Sequence, residues 1–321
     1  MRLHYFAAAV LLLFAKYTTA APAQPQEVLT GIYVMNVYDL DINQYSFYAD
    51  FYLWFRWKGD IDPTEIEFVN ALEKWGFTQN MFYDTARVLP DGYSYNGMRV
   101  EGRFYHAFEL NAFPLDCHEL DIRIENIDYP IDSLIYVPDT AASLMRPDFI
   151  IPGWNIEKGI IQTHTNFYQT NFGETGIDGD TFSNFTFRLS IARPMSYFLL
   201  KLMLPLLVVI IASLGGLLIH PSYIDARISL PIGGLLSCVF LQQSYSSALP
   251  DVGYMVLMDK IYLLSYLLIA FIMLRVIVVG NATAWGKHDN VGLLCRADRR
   301  RSVWYFAIYC AISIILILIA K

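Results

Sequence analysis

Asp225, Ser229, Gly233, Leu236, Phe240, Gln243 and Ser247 follow one another at steps of three and four residues, which places them on one face of a helix. These residue types perform no covalent chemistry as a set. An acid and a hydroxyl stand at one end, two large apolar side chains in the middle, and an amide and a hydroxyl at the other end. Such a face can handle water and ions: its wet ends attract them, and a greasy middle can exclude water. The stretch that carries it, Tyr223 to Pro250, is long enough to cross a bilayer, which takes about 20 apolar residues. Polar groups inside a span face protein or water, not lipid. Two readings fit. In one, a ring of identical chains encloses an aqueous path, because a single helix cannot. In the other, the stripe packs against the chain's own helices, as along a transporter's substrate path.

Other reactive side chains form no comparable set. Cys117-His118-Glu119 lacks the partnering that nucleophilic catalysis needs. Asp178-Gly-Asp180 has the composition of a calcium loop but not its ligands, and reads as a turn. Asn184-Phe-Thr186 is a glycosylation sequon by its letters alone. The six His are scattered without metal-ligand spacing, so no catalytic group, metal or cofactor is expected. Of the four Cys, only Cys117 precedes Ser196, so the N-terminal half is expected to close no internal disulfide and to bury Cys117 as a small hydrophobe. The net charge of −7 falls mostly in that half, which argues against nucleic acid and favours nearby cations.

The elements that position the stripe follow from hydropathy. Mean hydropathy is +0.36, and the apolar excess is concentrated at the extreme N-terminus and after Ser196. Residues 1–20 read as a secretory signal peptide, with Arg2 ahead of an apolar run and small residues at its end. Residues 21–194 form an exported domain. From about Val28 its pattern is period-two and aromatic, as in Tyr45 to Trp57 and Thr181 to Ile191, with turns at Lys58-Gly-Asp60 and Pro90-Asp-Gly92. Many short strands at this spacing imply an all-β, immunoglobulin-like sandwich, with Pro63 to Lys74 as a possible short helix.

Residues 195–321 form the membrane domain, with spans at about 198–219, 223–249, 255–279 and 303–320. Pro205 is expected to kink the first span, and Pro231-Ile-Gly-Gly234 to loosen the second. Lys287, Arg296, Arg299, Arg300 and Arg301 are assigned to the loop between the third and fourth spans, which makes that loop cytoplasmic. Counting back puts Arg193 outside, as a signal peptide requires.

An exported aromatic sandwich ahead of four spans resembles the pentameric ligand-gated ion channels of the Cys-loop receptor superfamily. Phe113-Pro114-Leu115-Asp116 looks like the family's FPxD signature. Arg193-Pro194 stands where the last strand enters the first span, and Pro205 resembles that span's proline. Pro250 closes the second helix, and Tyr254 to Asp259 resembles the opening of the third. The likeness runs from about Val28 to Lys321. It departs in lacking the paired loop cysteines, with Arg103 where the first would stand, and in a short connection between the third and fourth spans. Both departures look like the prokaryotic branch.

The resemblance implies a homopentamer around a central pore, in a bacterial inner membrane, with the sandwich in the periplasm. It implies a gate at Leu236 and Phe240 and selectivity at Asp225 and Ser229. With Asp225 at the mouth the expected permeant ions are monovalent cations, although Ala226-Arg227 resembles the start of anion-selective helices. A small-molecule agonist, or protons, would act between neighbouring subunits. One wall would be Asp128, Tyr129, Tyr168 and Phe182, and the other Tyr52, Trp54 and Arg56. Ile127 stands where an aromatic is expected. Coupling to the membrane would run through Asp116, Arg193 and Pro250, with Asp39 or Asp41. Membrane lipids complete the expected partners. The alternative class is a membrane-anchored sensor or a transporter without an ion pore.

Overall fold

A computed structural model describes residues 24–139, 144–170, 173, 179–284 and 291–320. The expected signal peptide, Asp178 and Lys287 lie outside the described residues.

Two sheets form the N-terminal domain. The first contains β1 (Gln26–Asp41), β2 (Ser46–Trp57), β4 (Ala71–Leu72), β7 (Ser94–Tyr105) and β9 (Leu134–Pro138), ordered β4-β7-β2-β1-β9. Short β5 (Thr78–Met81) and β6 (Arg87–Val88) also pair with β7. The second sheet is ordered β10-β11-β8-β3, from β3 (Ile66–Phe68), β8 (Cys117–Asn126), β10 (Asn155–Tyr168) and β11 (Asp180–Ala192). Alternation decides what lies between them. β2 buries Phe47, Phe51 and Phe55, and β8 and β11 bury Ile122, Ile124, Phe185 and Phe187. Phe104 meets Phe51 and Phe68 at ring-centroid distances of 6.0 and 5.7 Å in this core. Tyr52, Trp54 and Arg56 take the opposite face of β2, only partly covered.

The helix expected over Pro63 to Lys74 is absent. That stretch holds β3 and β4, followed by a 3₁₀ turn at Lys74–Gly76. Ile66 and Phe68 are both buried, and β3 pairs with β8, so cross-strand burial overrides a helix-like start at Asp62-Pro63. Cys117 is exposed, not the buried hydrophobe expected.

Four helical spans follow the sandwich. The first begins as a π-helical turn, Tyr197–Met203, and continues as α1 (Leu204–Gly215). Pro205 has no N–H to give the preceding turn, and the wide turn lies directly before it, where the sequence suggested a kink. α2 (Ile224–Ser246) runs unbroken through Pro231. Its Gly234 permits close approach to α1: a Cβ there would stand 2.0 Å from Ser213 Oγ, so that hydroxyl would have to turn away. α3 is Leu257–Ala284. α4 is Val291–Ala320, so Arg296 and Arg299–Arg301 belong to the helix and not to the loop to which their charge assigned them.

Candidate functional site: a helix face, a buried carboxylate and the joint between domains

α2 is two-sided. Arg227, Pro231, Gly234, Cys238 and Tyr245 are buried against the rest of the chain. Asp225, Ser229, Gly233, Leu236, Phe240, Gln243 and Ser247 all lie on the exposed side. Leu236 is 57% exposed and Phe240 65%, a large apolar surface for the middle of a helix face. Ser229 and Ser247 turn their hydroxyls back to the carbonyls of Ala226 and Ser244, each at 3.1 Å, which leaves their acceptor lone pairs facing outward.

Arg227 does not share that face. Its side chain is 1% exposed, and its guanidinium donates to Asp298 Oδ2 of α4 at 2.6 Å and, through Nε, to the Gly216 carbonyl at 3.2 Å. Arg275 of α3 reaches the same carboxylate at 3.0 Å. One buried carboxylate therefore ties α2, α3 and α4 at one end of the bundle. Removing it would leave the buried Arg227 guanidinium, with those of Arg275 and Arg301, without this counter-ion, and breaking a buried pair on one side in general costs about 3–5 kcal/mol.

The residues expected at an agonist site fall into two groups. On the outer face of the first sheet, the Trp54 indole covers Gly31, where a Cβ would be 2.1 Å from the ring, and donates Nε1–H to Asp139 at 3.0 Å. Arg56 pairs with Asp91 at 2.6 Å and lies 5.1 Å from the Tyr93 ring. Arg99 forks onto Asp50 at 3.0 and 2.8 Å beside Tyr52. On the second sheet, Tyr168 and Phe182 meet edge to face at 5.9 Å. The chain does not bring the two groups together, so a site using both takes its second wall from another copy.

Sequence reasoning gave the charge of this region to Asp128 and missed Glu125. Asp128 is exposed, and its backbone N–H, with that of Tyr129, is held by Asn126 Oδ1 at 3.0 and 2.8 Å. Glu125 is 5% exposed, and its carboxylate accepts from Tyr168 Oη at 2.8 Å, from Asn184 Nδ2 at 2.8 Å and from Asn166 Nδ2. Burial first, and then the Glu125 carboxylate, push the Tyr168 phenol up to about 12. Asn184, the sequon residue, is fully buried in this network. Alternation sets Glu125 and Asn184 on the face opposite Ile124 and Phe185, and the register of β8, β11 and β10 is what gathers Asn184, Asn166 and Tyr168 around the carboxylate, a match no local pattern shows.

The joint between domains is built on Asp116. Its carboxylate, 1% exposed, receives Arg193 Nε at 2.8 and 3.0 Å and His118 Nε2 at 2.8 Å. The Arg193 guanidinium also lies 4.2 Å from the Trp154 ring and 4.9 Å from Phe113. Phe113 stacks on Tyr245 of α2 at 6.2 Å, and Tyr245 stacks on Tyr262 of α3 at 5.3 Å. Tyr245 Oη also donates to Asp259. Tyr254 Oη accepts from Leu110 N–H at 3.1 Å, and Asn111 O accepts from Leu257 N–H at 3.0 Å. Asp39 is not part of this cluster: its carboxylate goes to Arg103 at 2.9 Å, and Asp41 caps the adjoining turn at Asn43 and Gln44. Pro250 is half-buried just beyond α2.

His118 stacks edge-on with His106 at 5.5 Å. Burial, and then His118, hold His106 down at about 4. An unfolded chain binds that proton near pH 6.5 and the folded one does not. Stability is therefore expected to fall by up to about 3 kcal/mol as pH drops from about 6.5 to 4, and to level below. Urea midpoints across that range check this. The slope should flatten in His106→Phe, and an unchanged slope would remove His106 as its source.

A sandwich whose FPLD loop rests on a bundle of four spans is the Cys-loop receptor fold. The chain is similar to the gamma-aminobutyric acid receptor subunit beta-4 of Gallus gallus, 23% identical over 208 residues, 63% of this chain and 40% of that one. It is 24% identical over 188 residues to the glutamate-gated chloride channel subunit beta of Haemonchus contortus, 57% of this chain and 40% of the relative. With the gamma-aminobutyric acid receptor subunit alpha-2 of Bos taurus it shares 21% over 264 residues, 73% of this chain and 55% of the other. The chain thus spans about two fifths to just over half the length of these relatives. No family model matches it. Its homologues are subunits of Cys-loop, pentameric ligand-gated ion channels.

Proposed function

We propose that the chain is the subunit of a homopentameric ligand-gated ion channel, with the exposed stripe of α2 as the pore wall. The observation that carries this is the two-sidedness of α2: the wet-greasy-wet face is unburied while the opposite face is packed. In a five-fold ring, Leu236 and Phe240 form the apolar girdle, from which water withdraws when the aperture is narrow. The agonist is a small molecule, or a proton, acting between copies. The Tyr168, Phe182 and Glu125 side of one subunit faces the Tyr52, Trp54 and Arg56 side of the next. The membrane is a bacterial inner membrane with the sandwich in the periplasm.

Cations are the permeant ions in this reading. Asp225 is exposed at the pore mouth, while Arg227, the cation that would oppose it, is buried on Asp298. The chloride channel among the relatives favours the opposite sign, and reversal potentials decide between them. Purified protein in a planar bilayer under a sodium chloride gradient should pass current that reverses near the sodium equilibrium potential. Asp225→Lys should lower the cation-to-anion permeability ratio roughly tenfold or more, because five like charges move together. Reversal near the chloride potential in the unaltered protein would refute the cation assignment. Absence of any unitary current would favour a sensor or a transporter.

A further inference from the structure

Asp298 of α4 faces three guanidinium groups: Arg227 of α2 at 2.6 Å, Arg275 of α3 at 3.0 Å and Arg301, one turn further along α4, at 3.5 Å. The three do not depend on it alike. Arg301 is exposed and Arg275 partly so, and water reaches both. The Arg227 and Asp298 side chains are each 1% exposed, and the other acceptor of Arg227 is the Gly216 carbonyl at 3.2 Å. A guanidinium buried in that way keeps its place only while its counter-ion is present. Pro231 has no N–H to return to the Arg227 carbonyl, which therefore lacks its helical donor. Gly216 lets that carbonyl come close, since a Cβ there would stand 2.6 Å from it. The Arg227 side chain thus ties the first turn of α2 to the end of α1 and to α4. Asp225, two residues earlier, lies about 200° round the helix and is exposed. The two opposite charges of this turn are sorted onto opposite sides of α2, and the group that sorts them stands on another helix.

We propose that Asp298 sets the sign of the charge at the mouth of the α2 stripe, as a positioning residue for ion selectivity that does not itself meet the ion. The proposal rests on the reading of that stripe as a pore wall. While Asp298 holds Arg227, the mouth presents the Asp225 carboxylates alone. Without it, the Arg227 guanidinium leaves the interior for water. Its stem springs from the first turn of α2, so the nearest water is at the helix end, where Asp225 stands. Five cations then oppose five anions, and the preference for cations falls. Arg275 and Arg301 do not follow that route, because they spring from α3 and α4 and already reach water.

The test reads reversal potentials of the full chain in planar bilayers under a sodium chloride gradient. Asp298→Asn should lower the cation-to-anion permeability ratio roughly threefold or more, with Asp225 in place. Two double variants, each carrying the parent's net charge, separate position from charge. Asp298→Asn/Arg227→Gln should restore the parent's ratio, because the freed cation is gone. Asp298→Asn/Arg275→Gln should stay shifted toward anions, because Arg227 is still free. A purely structural role would lower thermal stability and leave every ratio alone. The parent's ratio in an assembled Asp298→Asn protein, or equal ratios in the two double variants, would overturn the proposal. A second measurement needs neither a variant nor conduction. Phenylglyoxal, which condenses with accessible guanidinium groups, is applied to the unaltered protein and the adducts are located by peptide mass spectrometry. Arg299 and Arg300 should be modified and Arg227 spared; modification of Arg227 as fast as Arg299 would overturn the proposal. An unaltered protein that reverses at the chloride potential while Arg227 is spared would instead refute the cation reading, and the proposal with it.

Discussion

Leu236→Ser should open the channel in the absence of agonist, raising the resting open probability by on the order of tenfold or more. In the proposed assembly the closed state depends on a ring of side chains that water wets poorly, to which Leu236 contributes one from each copy. Leu236 is 57% exposed, so the described residues leave it largely uncovered. A hydroxyl in its place lets water and ions remain in the constriction, which removes much of the desolvation barrier. Five copies change at once, so a modest change per side chain is multiplied. Phe240→Ser, one turn on, should act in the same direction. The check is macroscopic leak current per unit of surface protein in oocytes or liposomes. A Leu236→Ser protein that assembles and stays as tightly closed as its parent would move the gate elsewhere.

Asp116→Asn should uncouple the domains and weaken the fold together. Asp116 is 1% exposed and accepts from both Arg193 and His118. Asparagine keeps the shape but leaves the partly buried Arg193 guanidinium without its charge partner, a loss of about 3–5 kcal/mol for a buried pair broken on one side. Arg193 also lies over Phe113, and Phe113 stacks on Tyr245 of α2, so two ring contacts link the carboxylate to the helix proposed to line the pore. The double variant Asp116→Asn/Arg193→Gln separates the roles. A static pair would show coupling in thermal unfolding alone. A gating joint would also show a lower maximal open probability with agonist affinity little changed, because the binding residues are untouched. Normal gating in a destabilised Asp116→Asn protein would reduce the pair to a structural one.

Much of the fold was legible because period-two and span-length patterns are local. β2 alternates Phe47, Phe51 and Phe55 against Tyr52, Trp54 and Arg56, and both faces can be read from spacing alone. The helix expected over Pro63 to Lys74 misled for the same local reason: an acid before a proline resembles a helix start, while Ile66 and Phe68 are placed by a distant strand. The arginines of α4 were assigned to a loop because hydropathy reports where lipid begins and not where a helix begins. Arginine is a good helix former, and the helix continues past the membrane edge. Partners far apart in sequence were not legible at all. Nothing near Arg227 points to Asp298, and nothing near Asp39 points to Arg103. Glu125 was overshadowed by Asp128, which sits in a more conspicuous turn, though only Glu125 gathers donors from β10 and β11.

The most direct test asks whether the exposed face of α2 meets water in the assembled protein. Gln243→Cys and Ser247→Cys, each in a Cys117→Ser background, would be treated with a charged, membrane-impermeant methanethiosulfonate during current recording. Native Cys238, buried on the opposite face of the same helix, serves as the internal control. Modification should alter the current in both variants and leave the parent carrying Cys238 unchanged. Cysteines at 243 and 247 that never react, or whose reaction leaves conduction untouched, would contradict the assignment of this face to an ion pathway.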